Sequence, residues 1–395
     1  MAHIIYAKEA DSDVKRLLDA WLNPETFVLL PERPGVSREW VDNAVRGLPE
    51  DARERHFGLL SSGSTGQPKL IVGSRERAEA LARVINDFQE LDAARETVLA
   101  LPLSYCYAFV NQWLWSVVFN RRLVRARGFS APNLFLDALV NSRDGMLCLT
   151  ASQVPLFYKY FKDKAVFPGI IRLNFAGAPF PQKDMDRIHG IFPSARIFNN
   201  YGCAEAMPRL TARSERAGLE GNNVGRPLPG VRLKRDEQGR ILFISRYSAV
   251  GFYDDEGYKP IKEGEWTASG DYGEEIEGGY WRVNGRADDV FKRFGEKVSM
   301  PQLLDTVRSS WSGEAVFYRE KDDNGEDGCV LVVSPEPSEK EYRDILSVFR
   351  KNHTRAQWPI RLESVDSFPF LGNGKIDRSA LVKRRDKAVH WHQRF

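Results

Sequence analysis

The sequence predicts an α/β protein with a large layered α/β N-terminal domain that includes a β-rich part, and a small α+β C-terminal domain. Three observations predict it. Apolar runs of strand length alternate with helix-spaced segments through roughly the first 220 residues, the pattern of a layered α/β architecture. Hairpin-like segments with Gly and Asp turns follow. From about Asp289 onward the pattern becomes a hairpin, an amphipathic helix and a strand. With 395 residues, 42% of them hydrophobic, the chain has ample apolar material for such cores.

The elements follow in order. In "DSDVKRLLDAWL", Val14, Leu17, Leu18 and Trp21 recur at helical spacing. "FVLL" is a short buried strand, and "SREWVDNAVRGL" a helix through Val41, Ala44, Val45 and Leu48. A Ser/Gly loop leads to the strand "LIVG" and the helix "RERAEALARVINDFQEL". "TVLALPL", "GMLCLT", "IIRLNFAGA" and "ARIFNNYG" are strand-length runs separated by helical "LFLDALVNS" and "QKDMDRIHGIF". "EAVFYRE" and "CVLVVS" form a hairpin around "DDNGEDG". Ser338 and Glu341 make a capping box for a helix burying Tyr342, Ile345, Leu346 and Phe349, and "PIRLESV" is the final strand.

Composition narrows the function. A formal net charge of +3 gives no electrostatic case for a nucleic-acid partner. Cys106, Cys148, Cys203 and Cys329 are scattered without C-x-x-C spacing, which argues against a zinc site or disulfide scaffold and fits a reducing cytoplasm. "MAHIIYAKEADSD" lacks the pattern of a signal peptide, and "FVNQWLWSVVF" is too short to span a bilayer. The terminal "HWHQRF" reads as a solvated chain end.

"SSGSTGQPK" is the segment richest in chemistry. Glycine-freed backbone N–H groups, the hydroxyls of Ser62, Ser64 and Thr65, and the charge of Lys69 suit a polyphosphate. A P-loop would need G-x-x-x-x-G-K-[ST]; here Pro68 stands for the second glycine and Leu70 for the magnesium-binding hydroxyl. A plain surface turn is the bland alternative, and a P-loop kinase, making ADP rather than AMP, the other.

This loop and a series of later segments resemble the adenylate-forming superfamily of acyl-CoA synthetases, peptide-synthetase adenylation domains and luciferases. "LPLSYCYAF", "NFAGAPF", "NNYGCAEA", "VGRPLPG", "SGD", "GRADDVFKRFGEKV" and "PFLGNGKIDR" occur in that family's order, from Ser61 to Arg378. The resemblance implies attack of a carboxylate on the α-phosphorus of ATP, giving acyl-AMP and pyrophosphate, then transfer to a thiol of CoA or a carrier-protein phosphopantetheine. Ser61, Ser62, Gly63, Ser64, Thr65, Gly66 and Lys69 would hold the leaving phosphates. Gly177, Ala178 and Pro179 would pack on adenine, with Asn200 beside it. Tyr201 would stack on the base, and Gly202 would leave room behind it. Glu205 would hold Mg²⁺, Asp271 the ribose hydroxyls, and Arg286 ribose or phosphate. Lys375 would be the catalytic lysine, bridging carboxylate and α-phosphate. It would lie in a mobile lid domain, residues 288–395, that closes on the large domain, residues 1–287, about a hinge at Asp288. Gly295 would leave space for the phosphopantetheine arm. Tyr105, Phe175 and Cys203 would line the acid pocket.

Three departures qualify the resemblance. Ala204 stands where the family has a threonine contacting the α-phosphate; Thr211 or Cys203 would be the compensating donors. Only 60 residues precede Ser61, a shortened front whose exposed edge would be covered by a partner or a second copy, a homo-oligomer. Tyr105 and Tyr107 replace a histidine common in acyl-CoA ligases, and no aspartate is present to pair an α-amino group. Trp113, Trp115, Phe109 and Phe175 therefore point to an aryl or fatty acid. The alternative from another class is a catalytically weak homologue serving as a nucleotide-binding scaffold.

Overall fold

All four residues of the strand Phe27–Leu30 are buried, as an uninterrupted apolar run requires when both faces of a sheet are covered. Phe27 and Leu29 join one core cluster, Val28 and Leu30 another. The computed structural model of the chain describes residues 3–32, 35–61, 68–161, 166–178, 180–217, 222–371 and 376–393. Two compact units emerge, one of residues 3–269 with Glu274–Arg282, the other of Gly270–Gly273, Val283–Leu371 and 376–393.

In the first unit, Phe27–Leu30 lies between the parallel strands His3–Tyr6 and His56–Ser61. His56–Ser61 turns back through the Ser/Gly loop into antiparallel Lys69–Ser74. The hairpin Gly251–Asp254/Gly257–Pro260 completes this six-stranded sheet. Helices Val14–Leu22 and Arg75–Gln89 bury Leu17, Trp21, Leu81 and Ile85 on one face, and Arg38–Arg46 buries Val41 and Ala44 on the other. The topology removes the P-loop alternative: the Ser/Gly loop joins two antiparallel strands, whereas a P-loop opens a helix.

The second sheet positions the site. Its parallel half runs, in spatial order, Arg122–Arg125, Glu96–Leu99, Gly145–Leu149, Ile170–Ala176 and Arg196–Tyr201. The chain leaving Glu96–Leu99 crosses outward to Arg122–Arg125, whereas the chain leaving Gly145–Leu149 crosses the other way. This reversal is a topological switch point, and open α/β sheets bind ligands beyond the carboxyl ends of the strands there. The crossover from Glu96–Leu99 contains a π-helical segment, Phe109–Leu114, set between the α-helical turns Cys106–Ala108 and Trp115–Val118. Thr211–Ser214 and Asn223–Pro227 extend the sheet antiparallel, and Tyr280–Arg286 joins Asn223–Pro227 through Trp281 and Arg282. The expected hairpin Val231–Arg235/Arg240–Ser245 lies at the far side.

The second unit pairs the hairpin Glu314–Lys321/Asp327–Ser334 with Arg361–Ser364. Helix Glu339–Asn352 carries the expected capping box, and buries Ile345, Leu346 and Phe349. One expectation is corrected. Arg361–Ser364 is not the last strand, because Ala388–His392 pairs with it at the sheet edge. "HWH" is therefore part of a strand: His390 Nε2 hydrogen-bonds Ser364 Oγ at 2.8 Å and Trp391 packs on the core. Backbone pairing with an existing strand outweighs the solvation of a polar chain end. Among the described residues no helix is long and apolar enough to cross a membrane.

Candidate active site

Three of the quoted segments leave the carboxyl ends of parallel strands: 100–105 after Glu96–Leu99, Gly177 and Ala178 after Ile170–Ala176, and 202–205 after Arg196–Tyr201. Gly177 has φ +76°, a backbone turn that glycine adopts without strain. In the other sheet, Ser61 and Lys69 face each other as the last pair of their hairpin, so the loop between them has a fixed base. The Lys69 ammonium lies 4.7 Å from the centre of the Phe252 ring. Ser62, Gly63, Ser64, Thr65, Gly66, Pro179 and Lys375 lie outside the described residues.

Tyr201 is tethered. Its hydroxyl donates to Ser269 Oγ at 3.3 Å, and Ser269 Oγ donates to the Ile241 carbonyl at 3.0 Å. In the sequence, "SGD" points to Asp271 and assigns no role to Ser269. The available signal was a hydroxyl two residues before Asp271, hence on the same face of the strand. Asn200 is buried, accepts from Gln89 Nε2 at 2.8 Å, and donates to Asn174 Oδ1 at 3.1 Å and the Phe175 carbonyl at 3.2 Å. Its amide braces the strand end that carries Tyr201.

Gly202 is also required by the chain's own packing. A Cβ there would stand 1.9 Å from the Pro208 carbonyl oxygen, so the absent side chain makes room for the chain's own returning backbone. Glu205 lies in the 3₁₀ turn Ala204–Ala206, and its carbonyl accepts the Ala249 N–H at 3.0 Å. Among the described residues no cation pairs with its carboxylate; after burial, that carboxylate is the second influence raising the Cys106 thiol. Among the described residues no cluster of three or more His, Cys, Asp or Glu is placed to hold a metal. A lone carboxylate of this kind fits Mg²⁺, which takes one or two protein carboxylates and completes its octahedron with phosphate and water. Thr211 does not replace the missing threonine: it is fully buried and its hydroxyl donates to the Val224 carbonyl.

The aromatic residues divide. Phe109, Trp113 and Trp115 are fully buried, and Phe109 and Trp113 pack with Trp21. These rings are core rather than pocket lining. Phe175 likewise packs in a core cluster, edge-on to Phe180 at 5.9 Å. Tyr105 is half-buried, 6.0 Å from Tyr107, and burial raises its phenol above the ordinary value. Cys203 is half-buried and packed against the main core.

In the second unit, Asp271 is buried with its Oδ1 3.8 Å from Arg286 Nε. Asp288 is exposed in the 3₁₀ turn Ala287–Asp289. Its neighbour Asp289 is buried and held by Arg378 Nη1 at 2.5 Å, joining two motifs far apart in sequence. Phe294 and Gly295, with φ +49° and +82°, form the two-residue tip of the hairpin Val290–Arg293/Glu296–Ser299. Two positive φ values make a type I′ turn, which accounts for the glycine. Among the described residues, nothing lies within 4 Å of where its Cβ would stand.

The family model "AMP-binding enzyme" matches residues 8–242. A probable CoA ligase of Humulus lupulus is 25% identical over 373 residues, covering 90% of this chain and 71% of that protein. The 2,3-dihydroxybenzoate-AMP ligase of Bacillus subtilis is 24% identical, over 85% of this chain and 65% of its own length. The o-succinylbenzoate CoA synthetase of Bacillus subtilis, solved with its acyl-adenylate intermediate, superposes with a TM-score of 0.74 at 16% identity, covering 97% and 88% of the two chains. With the matched span exceeding half the chain and the strand-end loops where such a sheet binds ligands, the protein belongs to the AMP-binding enzyme family, the adenylate-forming ligases.

Proposed function

We propose that the chain joins a carboxylic acid to ATP, forming acyl-AMP and releasing pyrophosphate, and then passes the acyl group to the thiol of CoA or of a carrier-protein phosphopantetheine. The observation that carries this reading is the tethered Tyr201 followed closely by Glu205, which pairs with no cation among the described residues, at the carboxyl end of one parallel sheet. Tyr201 would present its ring to adenine, fixed in angle by Ser269. Glu205 would hold Mg²⁺, which neutralises phosphate charge when bound. The loop based on Ser61 and Lys69 would cradle the leaving phosphates, with Gly177, Ala178 and Pro179 beside the base. Asn200 would act by holding the strand end.

Asp271 would take the ribose hydroxyls, with Arg286 as its neighbour, and Lys375 would stabilise charge developing between carboxylate and α-phosphate. We place the domain boundary between residues 287 and 288, with exposed Asp288 as the hinge and Gly295 on the thiol path. An aryl or fatty acid is favoured; the relative that acts on 2,3-dihydroxybenzoate supports an aryl one. Four cysteines with no disulfide among the described residues agree with a reducing cytoplasm.

The test is exchange of labelled pyrophosphate into ATP across a panel of aryl, fatty and amino acids, followed by acyl transfer to CoA or to a carrier protein. Exchange with an aryl or fatty acid, with AMP rather than ADP as product, is expected. Tight nucleotide binding without exchange for any acid would overturn the reading and favour a scaffold.

A further inference from the structure

Arg209 is a buried cation that pairs with no anion among the described residues. It is 1% exposed and lies directly behind the Tyr201–Gly202 turn, its Cα 2.9 Å from where a Gly202 Cβ would stand. Its guanidinium sits 5.4 Å from the centre of the Tyr107 ring, and Nη2 donates to Asn111 Oδ1. Asn111 belongs to the π-helical segment, and its Nδ2 is tied to the Tyr107 carbonyl at 2.8 Å. Among the described residues Arg209 Nε and Nη1 have no hydrogen-bond partner, and the Tyr107 hydroxyl lies within reach of the guanidinium and of the Cys148 thiol. The ionisable groups facing Arg209 are Tyr107, Cys148 and Tyr105. All three are neutral at pH 7, because burial raises them.

Arg75 shows how this chain builds a buried guanidinium for structure alone. It is 4% exposed and donates to the carbonyls of His56, Trp21, Asn23 and Glu25. Among the described residues Arg209 has no such ring of carbonyls. Tyr107 follows Glu96–Leu99 and Cys148 lies on Gly145–Leu149, the two strands of the switch point. An uncompensated buried charge is costly, and a guanidinium with two open donors matches a carboxylate.

We propose that Arg209, with the Tyr107 hydroxyl, holds a second carboxylate at the far end of the acid substrate, so that the enzyme activates a dicarboxylic acid. This rests on the acid-activation reading and adds the substrate's second charge. Tyr107 donates one hydrogen bond and Arg209 two, while the reacting carboxylate lies at the other end, toward the nucleotide.

The experiment compares matched pairs of acids in pyrophosphate exchange with the full chain: aryl and aliphatic dicarboxylates, each against a twin carrying a methyl group in place of one carboxylate. A site built to pair a charged group rejects its apolar twin strongly, so kcat/KM is expected to favour one diacid by on the order of 100-fold or more. In Arg209→Met that ratio should fall toward 1, chiefly through a rise in KM for the diacid, and in Tyr107→Phe it should fall by a smaller factor. Since Arg209→Met can fail to fold, the wild-type preference is itself decisive. Exchange with monoacids equal to or better than their diacid twins overturns this inference and leaves acid activation standing. Equal loss of monoacid and diacid exchange in a folded Arg209→Met places Arg209 at the reacting carboxylate and overturns the inference as well. Exchange with no acid overturns both readings.

Discussion

Gly202 and Pro208 approach so closely that no side chain fits between them. Replacing Gly202 with Ala should lower stability by about 1–3 kcal/mol, the range for overpacking a well-packed site. Urea unfolding checks this, and an unchanged midpoint would refute the assigned role. Ser269 makes a gentler case. Ser269→Ala removes the acceptor that orients Tyr201, and one hydrogen bond is worth about 1 kcal/mol. The expected result is a KM for ATP raised about 5-fold with kcat little changed; equal values for variant and wild type would show that the tether does not position the ring. At this scale the sequence was legible in kind. It marked Gly202, Tyr201 and Glu205 as special, but it could not show that the space beside Gly202 belongs to Pro208. Nor could it show that Thr211, a candidate donor on paper, has its hydroxyl committed to Val224.

Elements were the most legible level, because hydrophobic period and capping are local. The capping box at Ser338 and the hairpin around "DDNGEDG" follow from neighbours within a few residues. What escaped was pairing between distant segments, such as the edge strand Ala388–His392 and the buried pair of Arg293 and Asp322. Arg293 Nη2 lies 3.0 Å from Asp322 Oδ2, and the N–H groups of Asn324 and Glu326 each donate to Asp322 Oδ1 at 3.0 Å. Burial raises the Asp322 carboxyl, but these donors outweigh it and hold it below the ordinary value. A carboxyl depressed on folding contributes stability that is in place above its unfolded value, about 3.9, and is lost as pH falls through the folded value. Tryptophan fluorescence of urea unfolding should therefore show stability of the second unit declining from about pH 5 downward. Asp322→Asn should cost about 3 kcal/mol at pH 7, since it removes the carboxylate facing a buried guanidinium, yet show a shallower acid decline. Equal acid slopes in both proteins would remove the pair from this role.

For the whole molecule, the proposed cycle depends on an ammonium carried by one segment and a nucleotide held by another. Lys375→Ala should reduce pyrophosphate exchange on the order of 10²- to 10³-fold, the scale of removing one preorganised group that stabilises charge in the transition state. ATP binding, followed by calorimetry, should stay within a few-fold of wild type. Full exchange in the variant would end the assignment. By itself the sequence determined the family, the α/β class and the candidate groups, because helix and strand periods and motif order are written in adjacent residues. Only tertiary structure decided which aromatic rings are core, which glycine serves the backbone, and which arginine is left buried with open donors. Those outcomes depend on which surfaces meet after the chain has packed, and residues such as Arg209 and Tyr107, or Tyr201 and Ser269, are neighbours in space alone.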